Sequence, residues 1–264
     1  MFDYEIHAIR YACLERERSE NFIHDQSHRP RDEAMPLTYF VWLVRGGHGT
    51  FVIDTGFDER AARQRNRTIE RPVAEGLKAT GVELESVTDV VLTHLHYDHA
   101  GNHDLFPNAR YHMQTSEMIY ATGPCMCHHA LRHPFDVEDV QHMVKRVFEG
   151  RVCFHDGARE IAPGLSVHWV GGHSRGLQVV RVKTRRGWVV LASDAAHYYE
   201  NFEAASPFPI VVDLENMLKG YETMKSLASS PAHIIPGHDP LVLERYPASG
   251  FGAGIVRLDA DPSA

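Results

Sequence analysis

Four potential metal ligands fall within one short segment, THLHYDHAG, of the 264-residue chain. They are His94, His96, Asp98 and His99. Imidazole nitrogens and carboxylate oxygens together suit zinc or another first-row divalent ion. A histidine-rich surface loop is the plain alternative, but the segment directly follows the apolar, β-branched run TDVVLT, which is typical of a strand buried on both faces. The spacing therefore predicts a metal site at the end of a buried strand.

Strands and helices must position these side chains, and the chain interleaves the two. Runs of apolar and β-branched residues predict strands, and helical spacing of apolar residues predicts helices. The predicted strands cover residues 4–12, 37–44, 50–56, 88–93, 110–114, 165–170, 177–184, 187–193 and 233–236. The predicted helices cover residues 68–80, 116–121, 135–150 and 213–228. This order predicts one layered α/β domain over 1–264, with sheets inside, helices outside and a loose tail over about 259–264.

The composition argues against two kinds of partner. Lys and Arg total 27 against 35 Asp and Glu, and the five arginines between Arg60 and Arg71 indicate the solvated face of a helix, so no nucleic-acid surface is expected. No apolar run approaches the roughly twenty residues that a membrane helix needs. The N-terminal segment MFDYEIHAIR lacks the apolar stretch of a signal peptide, and four scattered cysteines suit a reducing compartment. We therefore expect a cytoplasmic protein.

Over nearly its whole length the chain resembles the metallo-β-lactamase superfamily. The segment 94–99 matches the first motif of that superfamily. Later motifs follow in the same order, each at the end of an apolar run: GGHSRG with His173, WVVLASD with Asp194 and IIPGHD with His238. The early segment TFVIDTG matches as well, with Asp54 as a support behind the ligands. The resemblance implies a four-layer αββα sandwich.

The resemblance also implies a dinuclear site. The first metal would be held by His94, His96 and His173. The second would be held by Asp98, His99 and His238, with Asp194 bridging both. Zinc is the expected metal, and manganese, cobalt or iron are alternatives that such a donor set accepts. Hydroxide formed from water between the metals would attack a carbonyl carbon, and Asp98 would pass a proton to the leaving group.

Within the superfamily, the chain is most similar to the lactonase branch, which includes the N-acyl-homoserine lactonases. The best-known β-lactamases carry Cys where this chain has Asp194, and glyoxalase II has a C-terminal helical region, whereas only 26 residues follow His238 here. The segments HLHYDHAG, MPLTYFVWLV and SDAAHYYENFE are similar to the lactonases. The implied function is therefore opening of a small-molecule lactone or ester. A homodimer is suggested by analogy alone.

One position departs from the lactonases. They have a Tyr three residues after the bridging Asp, where this chain has His197, followed by Tyr198 and Tyr199. We predict that His197 is catalytic and touches the substrate carbonyl, or that a neighbouring Tyr replaces it. A different ester, a thioester or a cyclic amide remains an alternative substrate, and an iron-dependent redox reaction is a further alternative. The substrate pocket is expected between residues 15–36, 122–135 and 197–210, with Met35, Phe202 and Phe208 as apolar lining or core.

The segment CMCHH, with Cys125 and Cys127, invites a third metal site. Its C-x-C spacing differs from the usual C-x-x-C, so we expect the start of a helix beside the pocket, with small buried thiols. The remaining histidines, including His103 and His142, lack motif partners and are predicted to be structural.

Overall fold

The computed structural model describes residues 3–25 and 27–263. Within these residues the strands are β1 (Glu5–Leu14), β2 (Leu37–Gly46), β3 (Gly49–Ile53), β4 (Thr68–Ile69), β5 (Asp89–Val91), β6 (Arg110–Gln114), β7 (Val152–His155), β8 (Arg159–Ala162), β9 (Leu165–Trp169), β10 (Gln178–Thr184), β11 (Gly187–Ser193), β12 (Ile234–Pro236) and β13 (Ile255–Arg257). The helices are α1 (Glu59–Arg65), α2 (Val73–Ala79), α3 (Tyr97–Ala100), α4 (Thr115–Thr122), α5 (His129–Arg132), α6 (Val137–Phe148), α7 (Tyr199–Glu203), α8 (Leu214–Leu227) and α9 (Leu241–Arg245).

These strands form two sheets. The first has the order β13-β1-β2-β3-β5-β6-β7, and β4 pairs with β1 at its side. The second has the order β12-β11-β10-β9-β8. In the first sheet β3, β5, β6 and β7 run parallel, and in the second β11 and β12 run parallel. Parallel neighbours bring their carboxyl ends to one edge, so the loops after β5, β11 and β12 can meet there.

Strand β2 shows how one apolar run serves two cores. Successive side chains of a strand point to opposite faces. Phe40, Trp42 and Val44 pack into the cluster that lies between the two sheets, whereas Tyr39, Val41 and Leu43 pack into the cluster on the other face of the first sheet. Both faces are buried, which explains why LTYFVWLV contains so few polar residues.

Helices cover the outer faces of both sheets. Ala61 and Leu77, from α1 and α2, and Met143 of α6 bury their side chains against the first sheet. On the other side, Met217 and Tyr221 of α8 pack against the second sheet. The layers therefore run helix, sheet, sheet, helix, and the predicted αββα sandwich is confirmed.

Two predicted boundaries are wrong. The predicted helix over 68–80 begins only at Val73, because Thr68–Ile69 pairs with β1 and Pro72 lacks the N–H that a helix interior needs. The predicted loose tail begins later than expected, since Asp259 and Ala260 are buried and only the following residues up to Ser263 are exposed. Ala264, at the end of that tail, and Gln26, within the predicted pocket segment 15–36, lie outside the described residues.

Among residues 3–25 and 27–263, no helix is both long enough and apolar enough to span a bilayer.

Candidate metal centre

The first histidine segment leaves the first sheet where β5 ends, between β3 and β6. Helix α3 begins directly after His96, so Asp98 and His99 lie in its first turn. Gly101 ends this helix against the loop after β3, where an added Cβ would lie 2.7 Å from the carbonyl oxygen of Gly56. The close approach of these two backbones explains why glycine follows the ligand segment.

The other three predicted ligands also lie directly after strands or in tight turns. His173 follows Gly172, whose φ of 85° favours glycine and whose Cβ would meet the backbone of Met217 at 2.6 Å. Asp194 follows β11, and His238 lies two residues after β12. Since β11 and β12 are parallel neighbours, their ends present both side chains on the same edge of the sheet.

All seven predicted ligands meet in one buried group, which we call the His/Asp cluster. Three sets of ligand atoms lie within 4.8 Å of one another: His94, His96 and His173; His94, His99 and Asp194; and Asp98, His99 and His238. The two carboxylate oxygens of Asp194 face different histidines. Its Oδ2 lies 3.2 Å from Nε2 of His173, and its Oδ1 lies 2.9 Å from Nε2 of His238 and 3.2 Å from Nε2 of His99. Asp194 therefore stands between the two predicted sites.

The cluster contains a buried nitrogen atom that no protein group satisfies. Nε2 of His94 is buried without a hydrogen-bond partner, and Oδ2 of Asp194 lies 4.0 Å from it. A buried polar atom without a partner costs about 1–3 kcal/mol, so such atoms are rare unless something else binds them. Neutral imidazoles and carboxylates at these separations are a suitable donor set for divalent cations. The residues present therefore fit two metal ions.

Protein groups hold the rings from behind. Nδ1 of His99 lies 2.8 Å from Oδ2 of Asp54, which also accepts a hydrogen bond from the hydroxyl of Thr93. His173 and His238 donate from Nδ1 to the carbonyl oxygens of Ile210 and Thr38, at 2.7 and 3.0 Å. Each contact leaves Nε2 directed into the cluster, which is how proteins fix the orientation of metal-binding histidines. Asp54 stands where the sequence predicted a support.

Burial and mutual charge set the protonation of the cluster. Burial, together with the charges of neighbouring histidines, holds the pKa of His94 and His96 well below the ordinary value, so both rings are neutral. Burial alone would also lower the pKa of His99, but the carboxylates of Asp194 and Asp98 outweigh it and raise that pKa. A cation would take the place of this proton among the same carboxylates.

Sequence reasoning missed Glu117. This fully buried carboxylate in α4 accepts hydrogen bonds from the backbone N–H of Leu95 at 2.9 Å and of Gly176 at 2.8 Å, and from the hydroxyl of Ser174. It therefore joins the segment that carries His94 and His96 to the segment that carries His173. In the sequence, Glu117 is distinguished only as the one charged residue of the predicted helix SEMIYA.

A cavity of about 290 Å³ opens onto the His/Asp cluster. Each of the three predicted pocket segments contributes lining residues, among them Arg16, His133 and Ile210. Several lining residues lie outside the segments predicted for the pocket. Four of these, together with Arg16, form what we call the outer wall: Arg16, Tyr39, Arg65, Arg67 and Tyr97. The hydroxyls of Tyr39 and Tyr97 lie 3.2 Å apart.

The three candidate substrate-contacting residues, His197, Tyr198 and Tyr199, have different surroundings. His197 lines the cavity, with Nε2 3.0 Å from Oδ2 of Asp194 and its ring stacked 3.5 Å from that of Phe208. Tyr198 is buried and donates its hydroxyl to the carbonyl oxygens of Met35 and Pro36. Tyr199 packs in the core between the sheets. Of the three, His197 is the residue whose side chain faces the cluster.

The apolar residues predicted for the pocket lie behind its lining. Phe208 backs His197, Phe202 lies in the core, and Met35 packs with Phe22 and Leu37 under Tyr198. Cys125 and Cys127 lie in a short turn ahead of α5. The prediction that their thiols are buried is wrong, because Cys127 is exposed and Cys125 is half-buried.

A second group of potential metal ligands lies away from the His/Asp cluster. Within the described residues no such group contains Cys125 or Cys127, whereas His103, Asp104 and His142 lie close together. Arg146 already pairs with Asp104 at 2.6 Å, which places a positive charge where a cation would bind. This arrangement favours the structural role predicted for both histidines.

Comparison with known proteins agrees with this geometry. Residues 35–238 match the metallo-beta-lactamase superfamily. The chain belongs to this superfamily. The match includes every residue of the His/Asp cluster and all strands of the two sheets except β1 and β13, and it confirms the predicted fold. The lactonase relatives described next confirm the predicted class of metal-dependent hydrolase.

Several proteins similar to this chain are named as lactonases. The N-acyl homoserine lactonase of Bacillus cereus is 27% identical over 220 residues, which cover 77% of this chain and 82% of that protein. The N-acyl homoserine lactonase AttM of Rhizobium radiobacter is 25% identical over 226 residues, covering 79% and 84%. The solved structure of a quorum-quenching N-acyl homoserine lactone lactonase has a TM-score of 0.74 at 25% identity, covering 91% of this chain and 94% of that one. The predicted likeness to lactonases is confirmed.

Proposed function

We propose that this protein is a dinuclear metal-dependent lactonase that opens the ring of a small lactone. One observation carries the proposal: the carboxylate of Asp194 stands between two groups of histidines at the base of a cavity, with separate oxygens toward His173 and His238. The relatives named as N-acyl homoserine lactonases support the choice of a lactone over other carbonyl substrates.

We propose the following ligands. His94, His96 and His173 would hold one metal, Asp98, His99 and His238 would hold the other, and Asp194 would bridge them. Four or more imidazoles with few carboxylates favour zinc, with manganese, cobalt and iron as ions that the same donors accept. When bound, the two ions supply Lewis acidity and lower the pKa of bound water toward neutrality.

The chain's own residues then orient the substrate and move protons. Asp98 lines the cavity as well as belonging to the cluster, so its carboxylate is positioned to pass a proton to the oxygen that leaves the ring. His197 faces the same space from the other side of Asp194, held in place by the stacked ring of Phe208. We assign it to contact with the substrate carbonyl, in the position that a tyrosine has in the lactonases.

The test is a lactone panel assayed on protein whose metal content has been counted by elemental analysis. Ring opening is followed by pH drop with acyl-homoserine lactones of several chain lengths, γ-butyrolactone and an aromatic lactone, with a thioester and a β-lactam for comparison. About two metals per chain and lactone opening that a chelator abolishes would support the proposal. Two metals with hydrolysis of the thioester or β-lactam alone would replace the lactone by that substrate.

His197 has a separate test. We expect His197→Ala to keep both metals and to lower turnover, because the side chain touches substrate in this proposal. Loss of a metal would instead make His197 a ligand, since its Nε2 lies within reach of the set formed by His173 and Asp194. Unchanged turnover with unchanged metal content would remove it from the reaction. The cytoplasmic location, the homodimer and the lack of nucleic-acid binding stay predictions.

A further inference from the structure

The five arginines between Arg60 and Arg71 do not share one solvated helix face. Arg60 pairs with Asp136 at 2.8 Å, and the exposed Arg63 pairs with Glu59 at 3.4 Å. Helix α1 ends at Arg65, and Asn66 takes up a left-handed conformation with φ of 52°. The chain reverses at this point, and as a result Arg65 and Arg67 line the cavity above the His/Asp cluster.

Arg65 and Arg67 are half-buried. Among the described residues, 3–25 and 27–263, no carboxylate forms an ion pair with either guanidinium group. Arg65 donates to the carbonyl oxygens of His133 and Phe135 and lies 4.0 Å over the ring of Tyr97. Arg67 donates from one terminal nitrogen to the carbonyl oxygen of Arg65 at 2.7 Å. Its guanidinium also interacts with the side chains of Tyr97 and Tyr39, but its Nε is buried without a hydrogen-bond partner. A guanidinium removed from water without an anion costs free energy that a bound anion would recover.

Other charges on the cavity do not neutralise this pair. The guanidinium of Arg16 lies 3.9 Å from the carboxylate of Glu20, and Glu15 is exposed to solvent. Asp98 and Asp194 face the histidines of the cluster. The contacts of Arg65 have a structural explanation, since they tie α1 to the segment 133–135. The free Nε of Arg67 has none within the described contacts, so Arg67 is the stronger indication of a ligand.

We propose that the substrate carries a carboxylate, or a similar anion, which Arg67 binds with Arg65 beside it while the lactone carbonyl lies over the His/Asp cluster. A guanidinium matches a carboxylate with two parallel hydrogen bonds. The hydroxyls of Tyr39 and Tyr97 border the same wall. One of them donates to the other, which leaves one hydroxyl able to donate to the same group. The cavity of about 290 Å³ places this wall and the His/Asp cluster around the same space, so one small lactone can reach both. This inference rests on the proposed lactonase function.

The experiment compares two lactones that differ only in a carboxylate and a carboxamide on the same short substituent. We measure kcat and KM for both with the wild-type protein, Arg67→Gln and Arg63→Gln. The wild type is expected to prefer the carboxylate by about tenfold or more in kcat/KM, mostly through KM, because a charge-assisted pair of hydrogen bonds is lost in the carboxamide. Arg67→Gln is expected to bring the ratio close to one. Arg63→Gln removes an exposed arginine of α1 that lies outside the cavity, and it is expected to keep the wild-type ratio.

The ratio of the two lactones is unaffected by a general loss of folding or metal. If the wild type opens both lactones equally well, or if Arg67→Gln keeps the preference, the acidic substrate is wrong and the lactonase proposal stands. If neither lactone is opened by protein with two metals, the lactonase proposal fails. Calorimetric binding of the two ring-opened products then tests the anion site by itself. The site is supported if the wild type binds the product with the carboxylate substituent more tightly than the product with the carboxamide substituent, and Arg67→Gln does not. Equal binding of the two products by the wild type overturns it.

Discussion

The His/Asp cluster and the outer wall border one cavity, yet they are built in opposite ways. In the cluster, a protein group behind the ring restrains His99, His173 and His238 at Nδ1. In the outer wall, Arg67 keeps a buried nitrogen without a partner and is joined to the protein through backbone oxygens. Most residues of the cluster lie just after the ends of strands. In the wall, Arg16 and Arg67 lie in loops and Arg65 is the last residue of α1.

This difference separates chemistry from selectivity. Ligands that project from the ends of two packed sheets keep their geometry when surface loops change, so the reaction can stay constant. Groups on loops can be exchanged without disturbing the ligands, so the part of the wall that comes from Arg16, Arg65 and Arg67 can adapt to a different substrate. We therefore expect changes in the cluster to lower metal content together with turnover, and changes in the wall to act on KM at constant metal content.

The largest effect is expected from Asp194→Ala. Removal of this carboxylate takes away the oxygens that face both groups of histidines and leaves a buried excess of positive charge once metals bind. Metal content should fall below two ions per chain, and kcat/KM should fall by more than about a hundredfold, the upper range for residues that only support a ligand. Elemental analysis and lactone kinetics measure both. Asp261→Ala, in the exposed tail, is the matched control, and two tightly held ions in Asp194→Ala would refute the assignment.

A smaller effect is expected from Asp54→Asn. Asp54 has φ of 59°, a conformation that Asn tolerates well, so the backbone should keep its path. The amide loses the charge that faces Nδ1 of His99, and its NH2 group meets donors at Thr93. Metal affinity should fall by about 10–100-fold. Competition with a chelator measures it, and unchanged affinity would mean that the cluster does not depend on this support.

Glu117→Gln should affect stability more than chemistry. The carboxylate accepts from the backbone N–H groups of Leu95 and Gly176, and an amide accepts with only one of its two terminal atoms. One buried N–H would then face another donor, at a cost of about 1–3 kcal/mol in the free energy of unfolding. Urea unfolding of metal-free protein measures the cost, with the exposed Glu222→Gln as control. Equal stability of the two variants would show that α4 does not join the two ligand segments.

The same contrast decides what could be predicted from the sequence. His94, His96, Asp98 and His99 are local to one turn, so their spacing alone indicates a metal site. Asp194 lies at the end of an apolar run, where the order of elements and the resemblance both indicated a ligand. The interleaved order of strands and helices indicated a layered α/β domain, and the αββα arrangement was implied by the resemblance. Strands such as β2, with two buried faces, agree with that arrangement.

Apart from Arg16, the wall could not be predicted because it depends on contacts that are distant in sequence. Tyr39 meets Tyr97 across 58 positions, and no local pattern relates them. In the sequence, Arg65 and Arg67 look like residues on the solvated face of a helix. Only the structure shows that the left-handed Asn66 ends the helix and reverses the chain between them. The sequence itself contained evidence against the predicted helix over 68–80, because Pro72 is unfavourable in a helix interior. In the structure, Thr68 and Ile69 pair with β1 instead.

The smallest effect on stability is expected from Asp25→Asn, which weakens the ion pairs that hold the segment 15–25 beside the wall. The buried guanidinium of Arg18 binds Asp25 and Glu200, and its hydrogen bonds hold the pKa of Asp25 well below its usual range. A carboxyl whose pKa is lower in the folded state stabilises the protein above its unfolded pKa, near 4, and loses that contribution as the pH falls below it. Asp25→Asn should therefore cost about 1 kcal/mol or less at pH 7, and the difference from wild type should narrow below about pH 4.

Unfolding of metal-free protein at several pH values measures this difference, and two further readouts relate it to the comparison. Metal content should equal that of the wild type, because Asp25 does not contact the His/Asp cluster. KM for the preferred lactone should rise modestly while kcat stays constant, because the segment that carries Arg16 is less firmly held. If Asp25→Asn lowered metal content instead, the cluster and the wall would be one mechanical unit, and the separation of chemistry from selectivity would be wrong for this protein.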